Sequence, residues 1–211
     1  MEDASPYVLA LIAVGAYLIG SFPTAYVVVK GFAHRNVMEY GTGNVGTLNT
    51  LRATNSKTLT IVVLLGDAGK GALALLLGYL VALAFDYDSQ LPMRVAGIVS
   101  VVGHNYSIFL KLKGGKGLAT SLPVLLYLEP ALGGVWVGVF LLTVLFTRLM
   151  VLGQIMGTVA VPVVGLAFFR NSIVPVVVLA AIVFVKHAPR IRNILNGTEP
   201  RMYYKVREVG R

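Results

Sequence analysis

Residues 59–85 read LTIVVLLGDAGKGALALLLGYLVALAF, an apolar run long enough to cross the hydrocarbon core of a bilayer as one helix. Comparable runs occupy residues 7–29, 95–110, 131–146, 151–169 and 173–185, and a shorter run occupies residues 118–128. Of the chain's residues, 56% are hydrophobic and only 13% are charged. A soluble domain would carry roughly a quarter charged residues. We therefore predict an all-α integral membrane protein, with residues 1–211 forming a single domain.

The number of membrane crossings depends on the run at 118–128, which is short for a helix that crosses the bilayer by itself. Seven transmembrane helices result if this run crosses, and five result if it and one neighbour are re-entrant. The charges of the loops favour an odd number of crossings. The N-terminus is acidic and the C-terminus is basic, which places the two ends on opposite sides of the membrane. The basic side holds the loops at 30–57 and 111–117, Arg148 and the tail; the acidic side holds Asp3, Asp86, Asp88 and Glu129, with Arg94 and Arg170 against the trend. We favour seven helices in the cytoplasmic membrane, with the N-terminus outside and the C-terminus in the cytoplasm.

The net charge of +9 indicates an anionic partner. Because the basic residues flank apolar segments, anionic lipid headgroups and an anionic substrate explain them better than nucleic acid does. The chain has no cysteine and only three histidines, so the sequence predicts neither thiol chemistry nor a catalytic metal site. We expect no cofactor.

Two apolar runs contain polar interruptions. The first is broken at Gly20–Ser21–Phe22–Pro23, where we expect a kink, with a substrate role for Ser21 as the less favoured alternative. The run at 59–85 contains Asp67 and Lys70, which share a helix face at this spacing. An internal ion pair is the favoured interpretation, because unpaired charges at membrane depth are costly, and lining of a site is the alternative.

The loop after the first run has a pattern typical of anion binding. Glycine permits tight turns, Thr and Asn supply short neutral donors, and Arg offers a planar fork for phosphate oxygens. A flexible loop is the alternative, although it would not require this spacing. The candidate residues are Gly41, Thr42, Gly43, Asn44, Gly46, Asn49 and Arg52.

A second loop on the same predicted face is rich in lysine and glycine. It contains Lys111, Lys113, Gly114, Gly115, Lys116 and Gly117, and it follows Gly103–His104. Glycine backbone N–H groups can turn toward an anion, so this loop is a candidate phosphate site. Lys111 is as well explained by the positive-inside rule, whereas Lys116 between two glycines favours a ligand role. The loop is not a Walker A motif, so nucleotide hydrolysis is unsupported. His104 is a candidate base or phosphate ligand, but the residues after it lack the Asp of the His-x-x-x-x-Asp acyltransferases.

Taken in order, these motifs resemble the bacterial membrane-embedded acyl-phosphate:glycerol-3-phosphate acyltransferases along nearly the whole chain. The matching stretches are Gly20–Thr24, Gly41–Asn49 with Arg52, Asp67-x-x-Lys70-Gly71, Gly103–Phe109, Lys113–Thr120, and His187 with Gly197-x-Glu199. The resemblance implies transfer of a fatty acyl group from acyl phosphate to the 1-hydroxyl of glycerol 3-phosphate, in phospholipid synthesis, at a cytoplasmic-side site. We expect a monomer. It also implies that Thr42, Arg52, His104 and Lys116 are catalytic and that His187 contacts substrate.

The chain departs from the family pattern at several positions. Thr42 replaces Ser, and Thr47–Leu48 replaces Ala-Thr. After Arg148, the family's Tyr-x-Ser-x-x-Ser becomes Leu149, Val151 and Gln154, and the Asn that follows His187 becomes Arg190. These changes leave the fold prediction intact and bear on substrate contacts.

Two other classes of function remain as alternatives. A transporter for a phosphorylated metabolite would also use broken helices and a basic cavity, but it favours a midplane site between repeats, whereas all motif loops here fall on one predicted face. A lipid-binding scaffold without activity is the third possibility, suggested only by the departures.

Overall fold

The computed structural model describes residues 4–88 and 90–201, and the charged residues Asp3, Lys205, Arg207 and Arg211 lie outside these ranges. Helices account for most of the described chain. The α-helices are α1 (Pro6–Ser21), α2 (Thr24–Ala33), α3 (Thr47–Thr54), α4 (Lys57–Ala84), α5 (Gln90–Asn105), α6 (Leu118–Leu128), α7 (Pro130–Thr147), α8 (Met150–Phe168), α9 (Ile173–His187) and α10 (Ile191–Leu195). Short 3-10 helices cover Val37–Glu39, Ile108–Leu110, Arg170–Ser172 and Ala188–Arg190.

Within the described ranges, 5 segments are long and apolar enough to cross a membrane. They are Pro6–Ala33, Lys57–Ala84, Pro130–Thr147, Met150–Phe168 and Arg170–Leu195, and Leu118–Leu128 is a shorter apolar helix. Large side chains such as Leu145 and Phe146 are 72% and 81% exposed, which is the surface expected of helices that face lipid. The helical membrane class is therefore confirmed, while the count of seven and the orientation stay predictions.

The described chain forms two compact units, one up to Val124 and one from Leu125 onward. In the first unit, α1, α4 and α5 pack against one another, and α2 and α3 pack against α4. In the second unit, α8 packs against both α7 and α9. The prediction of a single domain stays a prediction.

The predicted break in the first apolar run is confirmed at Phe22–Pro23. Helix α1 ends at Ser21, where the Phe22 N–H donates to Ile19 O at 3.3 Å, and α2 begins at Thr24. Proline has no N–H to continue the ladder, so the chain restarts as a second helix. Ser21 is buried, and its hydroxyl donates to Gly103 O at 3.3 Å, which gives it a structural contact with α5.

The predicted span at 95–110 was wrong in its bounds, because α5 begins at Gln90 and ends at Asn105. The chain leaves the helix at Ser107, which is extended, and its hydroxyl donates to the carbonyl of Ser21. Lys111 and Leu112 then adopt left-handed conformations. The chain therefore contacts α1 just after α5 ends. His104 lies in the last turn of α5, close to the loop at 111–117, which we call the lysine loop.

Two apolar clusters hold the first unit together. One joins α1, α4 and α5 through Ile12, Ala16, Ala74 and Ala96. Small residues at such contacts let helix backbones approach closely, which is how helices associate in membranes. The other cluster lies under the loop at 34–46 and contains Ala25, Val28, Val29, Val37, Val45, Ala53 and Val63. This second cluster supports the loop that carries the first predicted motif.

Candidate active site

The loop at 41–46 is held by the side-chain amide of Asn49 on α3. Asn49 is buried, and its Oδ1 accepts from the Thr42 N–H at 3.1 Å. Its Nδ2 donates to Val37 O at 2.8 Å and to Tyr40 O at 3.0 Å. Three bonds to loop backbone occupy this amide. We therefore interpret Asn49, expected from the sequence as a substrate ligand, as the residue that shapes the loop.

Gly41 lets the loop lie directly against α3. Its φ of +55° is in the left-handed region, and a Cβ there would overlap Asn49 Oδ1 and lie 3.0 Å from Arg52 Cδ. Arg52 is half-buried on α3, Thr42 is exposed, and Asn44 is half-buried. The structure thus brings the loop at 41–46 close to the Arg52 side chain on α3. The role of these residues in phosphate binding stays a prediction.

The lysine loop folds back onto the end of α5. The Gly115 N–H donates to His104 O at 3.0 Å, and a Cβ on Gly115 would overlap His104 Nε2. Gly117, with φ of +81°, starts α6 by accepting from the Ser121 N–H at 2.8 Å. Lys111 and Lys113 are exposed and Lys116 is half-buried, so Lys116 is the lysine most closely held by the fold.

The first loop and the lysine loop meet at Gly115. A Cβ on this residue would lie 2.6 Å from Val45 O as well as overlapping the His104 ring. Val45 belongs to the first loop and His104 to α5. The first loop, which is distant in the chain, therefore meets the lysine loop and the end of α5 at one point. This convergence was expected only from the common predicted face of the loops.

His104 lies between the lysine loop and a buried ion pair on α4. Lys70 Nζ is 2.8 Å from Asp67 Oδ1, which confirms the ion pair predicted from the spacing. His104 Nδ1 is 3.3 Å from Lys70 Nζ and 3.7 Å from Asp67 Oδ1. All three residues are buried. Sequence reasoning missed the contact between the ion pair and the histidine, because it depends on the packing of α4 against α5.

A small cavity opens among these groups. Its volume of about 10 Å³ is enough for one water molecule. Its wall includes Ser21 and Thr24 from the helix break, Asp67 and Lys70 from α4, and His104 and Gly115. The break in the first apolar run therefore borders the cavity, where its freed backbone groups lie close to polar side chains.

In the second unit, His187 is buried at the end of α9. Its Nδ1 donates to Val183 O at 2.8 Å, since a carbonyl oxygen can only accept. Its Nε2 lies 3.2 Å from the side-chain amide of Gln154 on α8. Gln154 stands where the family pattern has Ser, so this contact is made by one of the residues that depart from the pattern.

Arg190, a second departure, forms a bidentate ion pair with Glu199. Its Nε lies 2.9 Å from Glu199 Oε2 and its Nη2 lies 2.8 Å from Glu199 Oε1. Glu199 is only 6% exposed. The parallel geometry satisfies a buried carboxylate, so the arginine at this position has a clear partner within the same unit.

Among the described residues, no three His, Cys, Asp or Glu side chains are grouped closely enough to hold a metal ion. The described loops offer cationic side chains and backbone N–H groups, both of which can bind anions. In the first unit, a site would be formed by the buried His104 and by the two glycine loops, which are the first loop at 41–46 and the lysine loop at 111–117.

Comparison with known proteins agrees with this geometry. The sequence model of the family described as glycerol-3-phosphate acyltransferase matches residues 10–197. A glycerol-3-phosphate acyltransferase of Syntrophomonas wolfei is 34% identical over 98% of this chain and 100% of its own length. One from Geobacillus kaustophilus is 38% identical over 92% of this chain and 95% of its own length.

Solved structures of PlsY (YgiH), an integral membrane glycerol 3-phosphate acyltransferase, share the fold. The glycerol 3-phosphate form has a TM-score of 0.78 and 28% identity, and the alignment covers 92% of this chain and 94% of that chain. The lysophosphatidic acid form has a TM-score of 0.75 and 29% identity over the same shares. The motifs, the fold and these relatives agree, and the chain therefore belongs to the glycerol-3-phosphate acyltransferase family and is an acyltransferase.

Proposed function

We propose that this enzyme transfers a fatty acyl group from acyl phosphate to the 1-hydroxyl of glycerol 3-phosphate. The hydroxyl oxygen forms a bond to the acyl carbonyl carbon, and the bond from that carbon to the phosphate oxygen breaks. The hydroxyl proton passes to the departing phosphate. The products are lysophosphatidic acid and inorganic phosphate, so atoms and charge balance without a further reactant.

The observation that carries this proposal is the convergence of the two glycine loops and His104 at Gly115. Both substrates carry a phosphate, so the enzyme has to hold two anions close together and orient a hydroxyl onto a carbonyl carbon. Two adjacent glycine loops, each with a nearby cation, match that requirement. The names of the relatives support glycerol 3-phosphate as the acceptor.

An acyl phosphate is a mixed anhydride and is already activated. A covalent enzyme nucleophile is therefore not required, and the departing phosphate can itself serve as the base. We assign phosphate binding to Arg52 and Lys116, and hydrogen bonding to Thr42 and Asn44. The exposed Lys111 and Lys113 draw anionic substrate toward the loop. The assignment of His187 as a substrate contact rests on the resemblance to the family alone.

We further propose that the enzyme has seven transmembrane helices in the cytoplasmic membrane and acts as a monomer with a single functional domain and no cofactor. The N-terminus would lie outside and the active site would face the cytoplasm. The distribution of basic loops supports this orientation. Accessibility of single cysteines introduced at Lys113 and Asp88 to an impermeant thiol reagent in intact cells would test it, because only position 88 is expected to react.

The activity test uses purified protein in lipid nanodiscs with palmitoyl phosphate and glycerol 3-phosphate. We expect stoichiometric release of phosphate and formation of lysophosphatidic acid. Turnover from palmitoyl-CoA in place of palmitoyl phosphate would overturn the proposed donor. Uptake of glycerol 3-phosphate into proteoliposomes without acylation would instead support a transporter.

A matched pair of lysine variants tests the site. Lys116→Met removes the half-buried lysine of the loop, while Lys57→Met removes an exposed lysine at the start of α4. We expect a loss of roughly 10²–10³-fold in kcat/KM for the first, as for removal of one positioned donor. The second should remain within about twofold of the parent, because an exposed charge of this kind contributes little.

A further inference from the structure

Asp67, Lys70 and His104 form a buried cluster to which the reaction proposed above assigns no role. Asp67 and Lys70 come from α4, and His104 comes from α5. Their exposures are 2%, 5% and 7%. Charged groups buried at this depth are costly unless they compensate one another, so their arrangement is constrained.

The lysine determines which ring nitrogen of His104 carries the proton. An ammonium group has donors and no acceptor, so a hydrogen bond from Lys70 Nζ, at 3.3 Å, requires a lone pair on Nδ1. Asp67 Oδ1 lies 3.7 Å from this nitrogen, which is too long for a hydrogen bond from Nδ1. Asp67 instead compensates the Lys70 charge at 2.8 Å.

The other nitrogen faces the two glycine loops. A Cβ on Gly115 would overlap His104 Nε2 and would also lie 2.6 Å from Val45 O, so Nε2 lies against the backbone where the loops meet. If Nδ1 is the acceptor, Nε2 carries the proton in the neutral ring and points this N–H toward the site. A general base at Nε2 would require the opposite tautomer, whose Nδ1–H would face the donors of Lys70.

We propose that Lys70, held by Asp67, fixes His104 as the Nε2–H tautomer, so that His104 donates a hydrogen bond to a substrate oxygen and is not the general base. Lys70 and Asp67 are then positioning residues, and His104 contacts the reacting groups. The identity of the substrate in this inference rests on the proposed function, whereas the tautomer rests only on the contacts of His104. The proton of the attacking hydroxyl leaves with the departing phosphate.

The tautomer is measured without substrate. Full-length protein with ¹⁵N-labelled histidine is studied in nanodiscs by solid-state NMR at neutral pH, and the signals lost in His104→Gln identify His104. We expect a protonated Nε2 and an unprotonated Nδ1. A protonated Nδ1, whether in the other tautomer or in the imidazolium, would overturn the proposal. The result is independent of which acyl donor the enzyme uses.

Variants at the ion pair test its positioning role. Asp67→Asn with Lys70→Met removes both charges together and so avoids leaving a buried carboxylate unpaired. We expect the Nδ1–H form of His104 to gain population in this double variant, while Lys70→Arg, which keeps a cationic donor, retains the parent signals. Unchanged His104 signals in the folded double variant would overturn the role of the pair.

Activity distinguishes a donor from a base at position 104. The amide of His104→Gln can donate from near the place of Nε2 but cannot accept the proton, whereas His104→Ala can do neither. We expect the Gln variant to retain at least tenfold more kcat/KM than the Ala variant, whose loss should be roughly 10²–10³-fold as for a positioned donor. Equal and larger losses in both would identify His104 as the base and overturn the proposal.

Discussion

Replacing Gly115 with alanine tests whether the close approach of the two loops and His104 is required for catalysis. The φ of Gly115 is not positive, so the substitution introduces no left-handed strain and acts through space alone. The added Cβ would lie 2.6 Å from Val45 O and would overlap His104 Nε2. Ordinary contact begins at 3.4 Å, so Val45 O must move by about 0.8 Å (3.4 minus 2.6), and the ring must move as well.

A displacement of about 1 Å in a catalytic group costs on the order of 10²-fold in rate. We therefore expect Gly115→Ala to lower kcat/KM by roughly a hundredfold, which corresponds to about 2.8 kcal/mol. The accompanying loss of folding stability should be about 1–3 kcal/mol, as for overpacking of a filled site. Initial rates of phosphate release and thermal unfolding in nanodiscs would measure the two effects separately.

Gly69→Ala is the matched control, because it lies inside α4 in the same unit and its Cβ would meet nothing within 4 Å. Alanine in a helix interior stabilises by about 0.5–1 kcal/mol relative to glycine. The control should therefore keep full activity and unfold at the same or a higher temperature. If Gly115→Ala retained activity within threefold of this control, the contact at Gly115 would not support the catalytic geometry, and the argument for convergence there would fail.

Three further substitutions test contacts on which the site is built. Asn49→Ala removes three hydrogen bonds to loop backbone and should destabilise the fold by about 2–4 kcal/mol; faster amide exchange of the 37–42 backbone would show that the loop has loosened. Arg190→Ala leaves the buried Glu199 without its bidentate partner and should cost about 3–5 kcal/mol in thermal unfolding. Gln154→Leu removes the amide beside His187 Nε2 and should cost about 1 kcal/mol.

Each of these has an outcome that would contradict it. A folded Asn49→Ala variant with parent exchange rates would mean that other contacts hold the loop. Arg190→Ala should be partly rescued by adding Glu199→Gln, and the absence of rescue would show that the arginine stabilises through another contact. Gln154→Ser should resemble Gln154→Leu, since serine is too short to reach His187. A serine variant as stable as the parent would contradict the role given to the amide.

Local features of this chain were predictable from sequence. Proline at position 23 lacks an N–H, so a helix break there was expected and is confirmed. The spacing of Asp67 and Lys70 puts them on one helix face, and their ion pair is confirmed. The bounds of α6 agree with the short apolar run at 118–128. In each case the information lies within a few residues of the feature.

Contacts between distant segments were not predictable in the same way. The approach of Lys70 to His104 depends on how α4 packs on α5. The contact of the Ser107 hydroxyl with Ser21 O, just after α5 ends, depends on how α5 packs on α1. Residue spacing carries no information about either. Gln154 was noted only as a departure from a family pattern, and its contact with His187 appears only when α8 and α9 are placed together. The functional roles of the site residues stay predictions.

The crossing of α1 and α5 has a consequence for motion. A Cβ on Gly20 would overlap Ser100 O, and a Cβ on Gly103 would overlap Tyr17 O, so the two backbones touch at two points three residues apart along each helix. Two such close contacts oppose sliding or rotation of one helix against the other. We therefore expect this helix pair to fluctuate less than the glycine loops at its end. Motion that admits substrate is expected in those loops, on the timescale of loop motion.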